Sequence, residues 1–203
     1  TLAFGKDLNL NDMFFQYGFR VNPELVKDMY AADIVLSDDN QQYNRYPWFY
    51  NPLLSGNENH PISRNIDRIK TEFVSTIDTV HVDGVKFTPL LSSSDQSRLV
   101  TAPTRISFNI LREPPKYERF NEGPYMTAVL AEGNFESVFK NRLPKQIIQD
   151  QGINFQEKSV LPSKIIVVSD GDILKNYVST SGKYYTLGFD RYTNKLYGNR
   201  EFV

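Results

Sequence analysis

Four consecutive β-branched residues, Ile165 to Val168, run without a polar break into Ser169-Asp170-Gly171-Asp172. A strand with one face in water alternates apolar and polar residues, whereas a strand covered on both faces does not. The run therefore predicts a strand buried on both sides that ends at a turn carrying two carboxylates. "YMTAVLAEG" (125–133) has the same unbroken character. Segments with helical patterning lie among such strands: "NLNDMFFQYG" (9–18), where Met13, Phe14 and Tyr17 make a stripe and Gly18 ends the helix, "NFESVFKNR" (134–142), and a turn over 172–176. Strands and helices intermixed in this way predict an α/β fold. Its expected form is a mixed, mostly buried sheet flanked by helices, with a flavodoxin- or Rossmann-like core and a β-rich, loop-rich insertion.

Further strands are expected over 32–36, over 71–80 with Phe73, Ser75, Ile77 and Thr79 on one side, over 85–93, and over 105–111, where Ile106, Phe108 and Ile110 alternate. Pro89 argues for an edge or a bulge, and Pro47 confines the aromatic, turn-rich stretch 38–61 to an edge strand or a loop. Residues 62–69 read as a helical turn. The segment 112–124 holds three prolines and is the one internal break expected in an otherwise single domain spanning 1–203.

Of the 203 residues, 40% are apolar and 13% aromatic, enough for a real core. The net charge of −1 supplies no long-range attraction to nucleic acid or to an anionic membrane. The absence of cysteine excludes a disulfide framework, a thiolate zinc site and a cysteine nucleophile. No apolar run approaches the ~20 residues that span a bilayer, and no signal peptide is visible. The chain opens on "TLAFGKDLNL" and closes on "GNREFV", where Asn199 reads as the cap of a helix just starting. An excised piece of a longer protein is the expectation.

Asp170 and Asp172 could hold a divalent cation, because ligands in open α/β sheets sit beyond the carboxyl ends of strands. The alternative is structural: Asp172 caps the following turn and Gly171 allows it to be tight. The pair has the Asp-x-Asp spacing of a phosphatase-type site but none of that site's companion motifs. A third oxygen ligand, such as Asp95 or Asp190, would be needed for metal-assisted hydrolysis. His60 and His81, the two histidines, are too few for a zinc centre without carboxylates. The hydroxyl-rich loop "LLSSSDQSRLV", with Ser93 and Asp95, could bind an anion or a sugar, or be a polar turn bonded to its own backbone. "RYPWFY" offers Tyr46, Trp48, Phe49 and Tyr50 as a stacking surface, unless alternate members enter the core. Neither a glycine-rich phosphate loop nor a nucleophile elbow is present.

Several stretches, in order, resemble one family. They are "DLNLNDMFFQYGFRVNPELVKD", "HPISRNIDRIKTEFVSTIDTV", "PLLSSSDQSR", "IIVVSDGDILKN" and "LGFDRYTNKLYGNREFV". Together they are similar to the extracytoplasmic part of the gliding-motility-associated GldG family, within the wider group of uncharacterised ABC-transporter auxiliary domains. The resemblance runs from about residue 7 to 203. It implies a periplasmic domain anchored to the cytoplasmic membrane through segments outside this chain, with a separate permease and ATPase as partners. It supplies no catalytic residue, metal or cofactor. The expected role is a non-catalytic auxiliary or interaction domain of an ABC transporter complex. A glycan- or peptide-binding module using Tyr46, Trp48, Tyr50 and the serine loop is the alternative, and a metal-assisted hydrolase built on Asp170 and Asp172 is a further one.

Overall fold

The computed structural model describes residues 1–37, 41–112 and 115–203. The expected turn-rich stretch and internal break therefore lie partly, at 38–40 and 113–114, outside the described residues. The chain opens with β1 (Leu2–Ala3), the helix α1 (Asn11–Gln16), β2 (Phe19–Val21) and β3 (Glu24–Asp28). Next come β4 (Ala31–Ser37), the long β5 (Tyr43–Gly56), β6 (Ile69–Lys70) and β7 (Ile77–Thr79). β8 (Val85–Ser92), β9 (Ser97–Thr101) and β10 (Thr104–Arg105) are followed by 3-10 turns at Phe108–Leu111 and Tyr117–Arg119. β11 (Met126–Gly133), α2 (Lys145–Ile148) and β12 (Ser163–Val168) lead to a 3-10 turn at Gly171–Leu174. The ribbon β13 (Phe189–Asp190) and β14 (Lys195–Leu196) precedes α3 (Asn199–Phe202).

This architecture overturns the expected α/β fold. Among the described residues 37% lie in strands and 13% in helices, and the main sheet curls into a half-barrel. The α-helices are six, four and four residues long, too short to flank a sheet in the flavodoxin or Rossmann manner. The main sheet runs β12-β11-β8-β5-β4, with β6 also paired to β5, and its described pairs are antiparallel. No described helix is long and apolar enough to cross a membrane.

The error has a specific source. Ile165–Val168 belongs to β12, which stands at the end of the sheet with Ile166 46% exposed. Its β-branched run reflects preference for a pleated backbone rather than burial on both faces. The strand truly enclosed is β11, where Thr127 to Ala131 are buried. What covers the sheet there is not helices but small ribbons and turns. On one face Val129 and Ala131 pack with Phe19, Ile77 and Phe135, under the β2–β7 ribbon and α1. On the other, Ala128 and Leu130 pack with Leu54, Ile69, Leu90 and Ile173, under β6 and the Gly171–Leu174 turn. A third cluster joins Leu25, Trp48 and Tyr50 beneath the β3–β9 ribbon.

Both prolines sit where a strand tolerates them. Pro47 lies in the half of β5 that pairs with β4, away from the Ser55–Gly56 end that pairs with β8. Pro89 adjoins the register shift between Ala128 and Val129 of β11. α1 ends as expected at Gly18, whose φ of +83° favours glycine. Other expectations fail locally. Residues 134–142 form turns, with Glu136 bridging to Lys158, instead of a helix. The expected strand over 105–111 becomes a 3-10 turn once the Ser107 side chain accepts the Asn109 N–H. The strand expected over 71–80 shrinks to β7, and Phe73 takes a φ of +59° that breaks an extended run.

Candidate binding site

The segment Lys70–Phe73 leaves β6 and is fastened from four directions. The Lys70 N–H donates to Asn199 Oδ1 at 2.9 Å, and Asn199 Nδ2 donates back to the Lys70 carbonyl at 2.8 Å. The Thr71 hydroxyl donates to the Pro52 carbonyl at 2.7 Å. The Glu72 N–H donates to Asp170 Oδ2 at 2.8 Å, and the Phe73 N–H to the Tyr50 carbonyl at 2.8 Å. Asn199 thus acts as a strand-like partner through its side-chain amide. It is not the expected helix cap, a place taken by Gly198.

Two cavities meet along this segment and share Lys70, Glu72 and Tyr192. One, of about 210 Å³, carries charge of both signs: Glu72, Asp172 and Asp190 against Lys70, Lys175 and Arg191. The Arg191 guanidinium lies 4.2 Å from the Tyr177 ring centroid and 4.4 Å from that of Tyr192, and it donates to both hydroxyls. Asp190 is buried. Its Oδ1 accepts the Tyr192 N–H, while its Oδ2 has no hydrogen bond and lies 3.6 Å from Lys70 Nζ. Burial and the nearby Asp190 carboxylate push the Tyr197 phenol up to about 12. The other cavity, of about 610 Å³, is lined by Trp48, Phe73, Ile106 and Phe108, with the buried Asn51 Oδ1 unpartnered. A groove with a charged end and an aromatic end suits an extended peptide-like segment, which offers amides and side chains of both kinds.

The structure distributes the sequence candidates unevenly. Asp172 lines the charged cavity and pairs with Lys175 at 3.3 Å. The capping carboxylate is Asp170 rather than Asp172. Its Oδ1 accepts the Asp172 N–H at 2.8 Å and its Oδ2 the Glu72 N–H, so both oxygens serve the backbone. Burial pushes its carboxyl up to about 6, against the pull of those two N–H groups. Trp48 is buried and forms one wall of the aromatic cavity, 5.3 Å between ring centroids from Phe108. Tyr50 is buried beside it and Tyr46 is half-buried, so the expected exposed aromatic face does not form. Ser93 is buried, bonded through its hydroxyl to Ser97 and to the Tyr125 N–H. Asp95 is exposed at a separate cavity beside Arg68 and Tyr30. Among the described residues no three His, Cys, Asp or Glu side chains converge to hold a metal, so Asp95 and Asp190 do not complete an Asp170–Asp172 site. His60 Nδ1 accepts the Ile62 N–H, and His81 pairs with Asp83.

Sequence reasoning missed Lys70, Glu72 and Arg191, which line this groove, and Asp28, which organises the serine loop. Asp28 is fully buried and accepts from the Ser94 N–H, the Ser94 hydroxyl and the Tyr30 N–H. Asp28 and Ser94 are 66 residues apart, beyond the reach of local patterning.

A family described as ABC-type uncharacterized transport system matches residues 2–203. An uncharacterized protein of Borreliella burgdorferi is 28% identical over 179 residues, covering 84% of this chain and 31% of that protein. The chain thus spans about a third of the length of the curated relative it matches. No solved structure matches it significantly.

Proposed function

The chain belongs to this family of ABC-type uncharacterized transport systems, and from that premise we propose that it is a non-catalytic interaction domain of an ABC transporter complex. Its place in that complex is periplasmic, anchored to the cytoplasmic membrane by segments outside this chain, beside a permease and an ATPase. The GldG-like, gliding-motility role is the narrower form of the same proposal. The observation that carries the reading is the family match across nearly the whole chain. The geometry supports it: the Asp170 carboxylate is occupied by backbone N–H groups, and the Lys70–Glu72 groove is shaped to receive a segment rather than to activate a nucleophile. The occupant of the groove is then an extended segment of a transporter component.

The test is purification of the full-length tagged protein in mild detergent, with its companions identified by mass spectrometry. Recovery of an ABC permease and ATPase is the expected result. A protein recovered free of both would overturn the proposal.

A further inference from the structure

β3 and β9 pair so that Lys27 stands directly opposite Arg98. Like charges facing each other across a strand pair repel, and burial removes the water that would screen them. Lys27 is nevertheless only 8% exposed. Its ammonium lies over three rings, 5.1 Å from the centroid of Tyr50, 5.9 Å from Phe120 and 6.0 Å from Phe49. Arg98 Nε is buried and has no hydrogen-bond partner.

Two more cations join them. Lys116 precedes the 3-10 turn Tyr117–Arg119 and Arg119 ends it, and both stand, exposed, at the rim of a cavity of about 220 Å³ that Lys27 and Arg98 line from within. Asn109 adds an amide, and no described acidic residue lines the cavity. None of the four cations is ion-paired among the described residues. Of the acids close by in the chain, Glu24 accepts from the Thr76 hydroxyl, Glu122 accepts from the Tyr125 hydroxyl at 3.1 Å, and Glu118, between Lys116 and Arg119, is exposed and does not line the cavity. Four cations thus converge on one small cavity that no described acid lines.

We propose that this cavity binds a phosphate monoester group, with Lys27 and Arg98 contacting its oxygens from the floor and Lys116 and Arg119 closing on it from the rim. The planar guanidinium fork of arginine matches phosphate oxygens in pairs, and a dianion offsets more of this charge than a carboxylate does. The volume is smaller than the roughly 300–1,000 Å³ of ordinary small-molecule pockets, consistent with capture of a head group rather than a whole ligand. Burial first, and Arg98 second, lower the Lys27 ammonium to about 8. A bound anion would oppose the Arg98 repulsion and favour the charged ammonium. The cavity shares no lining residue with the Lys70 groove, so the two sites succeed or fail separately.

The experiment is calorimetric titration of the full-length protein with inorganic phosphate and with methyl phosphate, at ionic strength matched by chloride. Flotation with phosphatidylcholine vesicles, with and without phosphatidic acid, accompanies it. Saturable binding, weakened on the order of tenfold or more in both Arg98→Gln and Lys27→Met, is expected. Arg119→Gln, on the exposed rim, gives the same readout should a floor variant fail to fold. Binding of the free phosphates assigns a soluble monoester. Binding confined to phosphatidic acid vesicles assigns a lipid head group. No saturable binding in any arm, or equal binding by wild type and variants, overturns the proposal.

Discussion

Asp170 illustrates how one side chain can look catalytic in sequence and be structural in space. Its position at the end of a strand, two residues before another carboxylate, is the pattern of a metal site, but the fold turns both of its oxygens toward backbone N–H groups. Its carboxyl is raised to about 6, above the ~3.9 of an unfolded chain, chiefly by burial. The native state therefore holds this proton more tightly than the unfolded state. The folded protein gains from protonation below the unfolded pKa, and that gain is lost as pH rises through about 6. Two pKa units correspond to about 3 kcal/mol at most. Asp170→Asn removes this titration and leaves one of the two N–H groups without its acceptor, a pH-independent cost of ~1–3 kcal/mol. Urea midpoints measured from pH 4 to 6 should fall less steeply with rising pH in Asp170→Asn than in the wild type. An unchanged slope would contradict the assignment. Part of the slope will persist, because burial also raises the Asp28 carboxyl.

At the scale of elements, β11 and β12 test what an unbroken apolar run means. Leu130 on β11 is 1% exposed and Ile166 on β12 is 46% exposed, although the two face each other in register. Leu130→Ala should cost ~2–5 kcal/mol and Ile166→Ala well under half of that, measured as the change in unfolding free energy in urea. Equal losses would mean that β12 is enclosed after all. Much of the strand content was legible: β4, β8, β11 and β12 fall close to where period and composition put them, and α1 stops at Gly18. The fold class was not. Whether a run such as Ile165–Val168 is central or peripheral depends on partners that no local window contains, and here β11 covers one side of β12 while Ile166 stays in water. The strand expected over 105–111 was lost to a single competing hydrogen bond, from the Asn109 N–H to the Ser107 hydroxyl. The site was less legible than the fold. Asp172 and Trp48 line the groove as candidates from sequence, but Lys70, Glu72 and Arg191 reach it only through pairings distant in the chain.

At the scale of the whole molecule, the groove and the cationic cavity make different demands on a transporter complex. Glu72 is exposed, and only its backbone N–H holds the fold together, so Glu72→Lys should leave the thermal midpoint nearly unchanged. The same substitution reverses the charge at the point where the two cavities meet. It should reduce recovery of the permease and ATPase in co-purification, whereas Arg119→Gln should leave that recovery intact. Undiminished recovery with Glu72→Lys would remove the groove from the interface. The pairing of the first strands has a consequence in time. The Thr1 nitrogen donates to the Ile106 carbonyl 105 residues later, and β2 and β3 wait for β7 and β9. At ~5–20 residues per second of synthesis, Ile106 follows Thr1 by roughly 5–20 s. Within that interval β2 has no partner until β7 is made, β3 none until β9 and β1 none until β10, so a nascent chain interrupted before Ile77 carries three unsatisfied strand edges that a chaperone or another chain can cover.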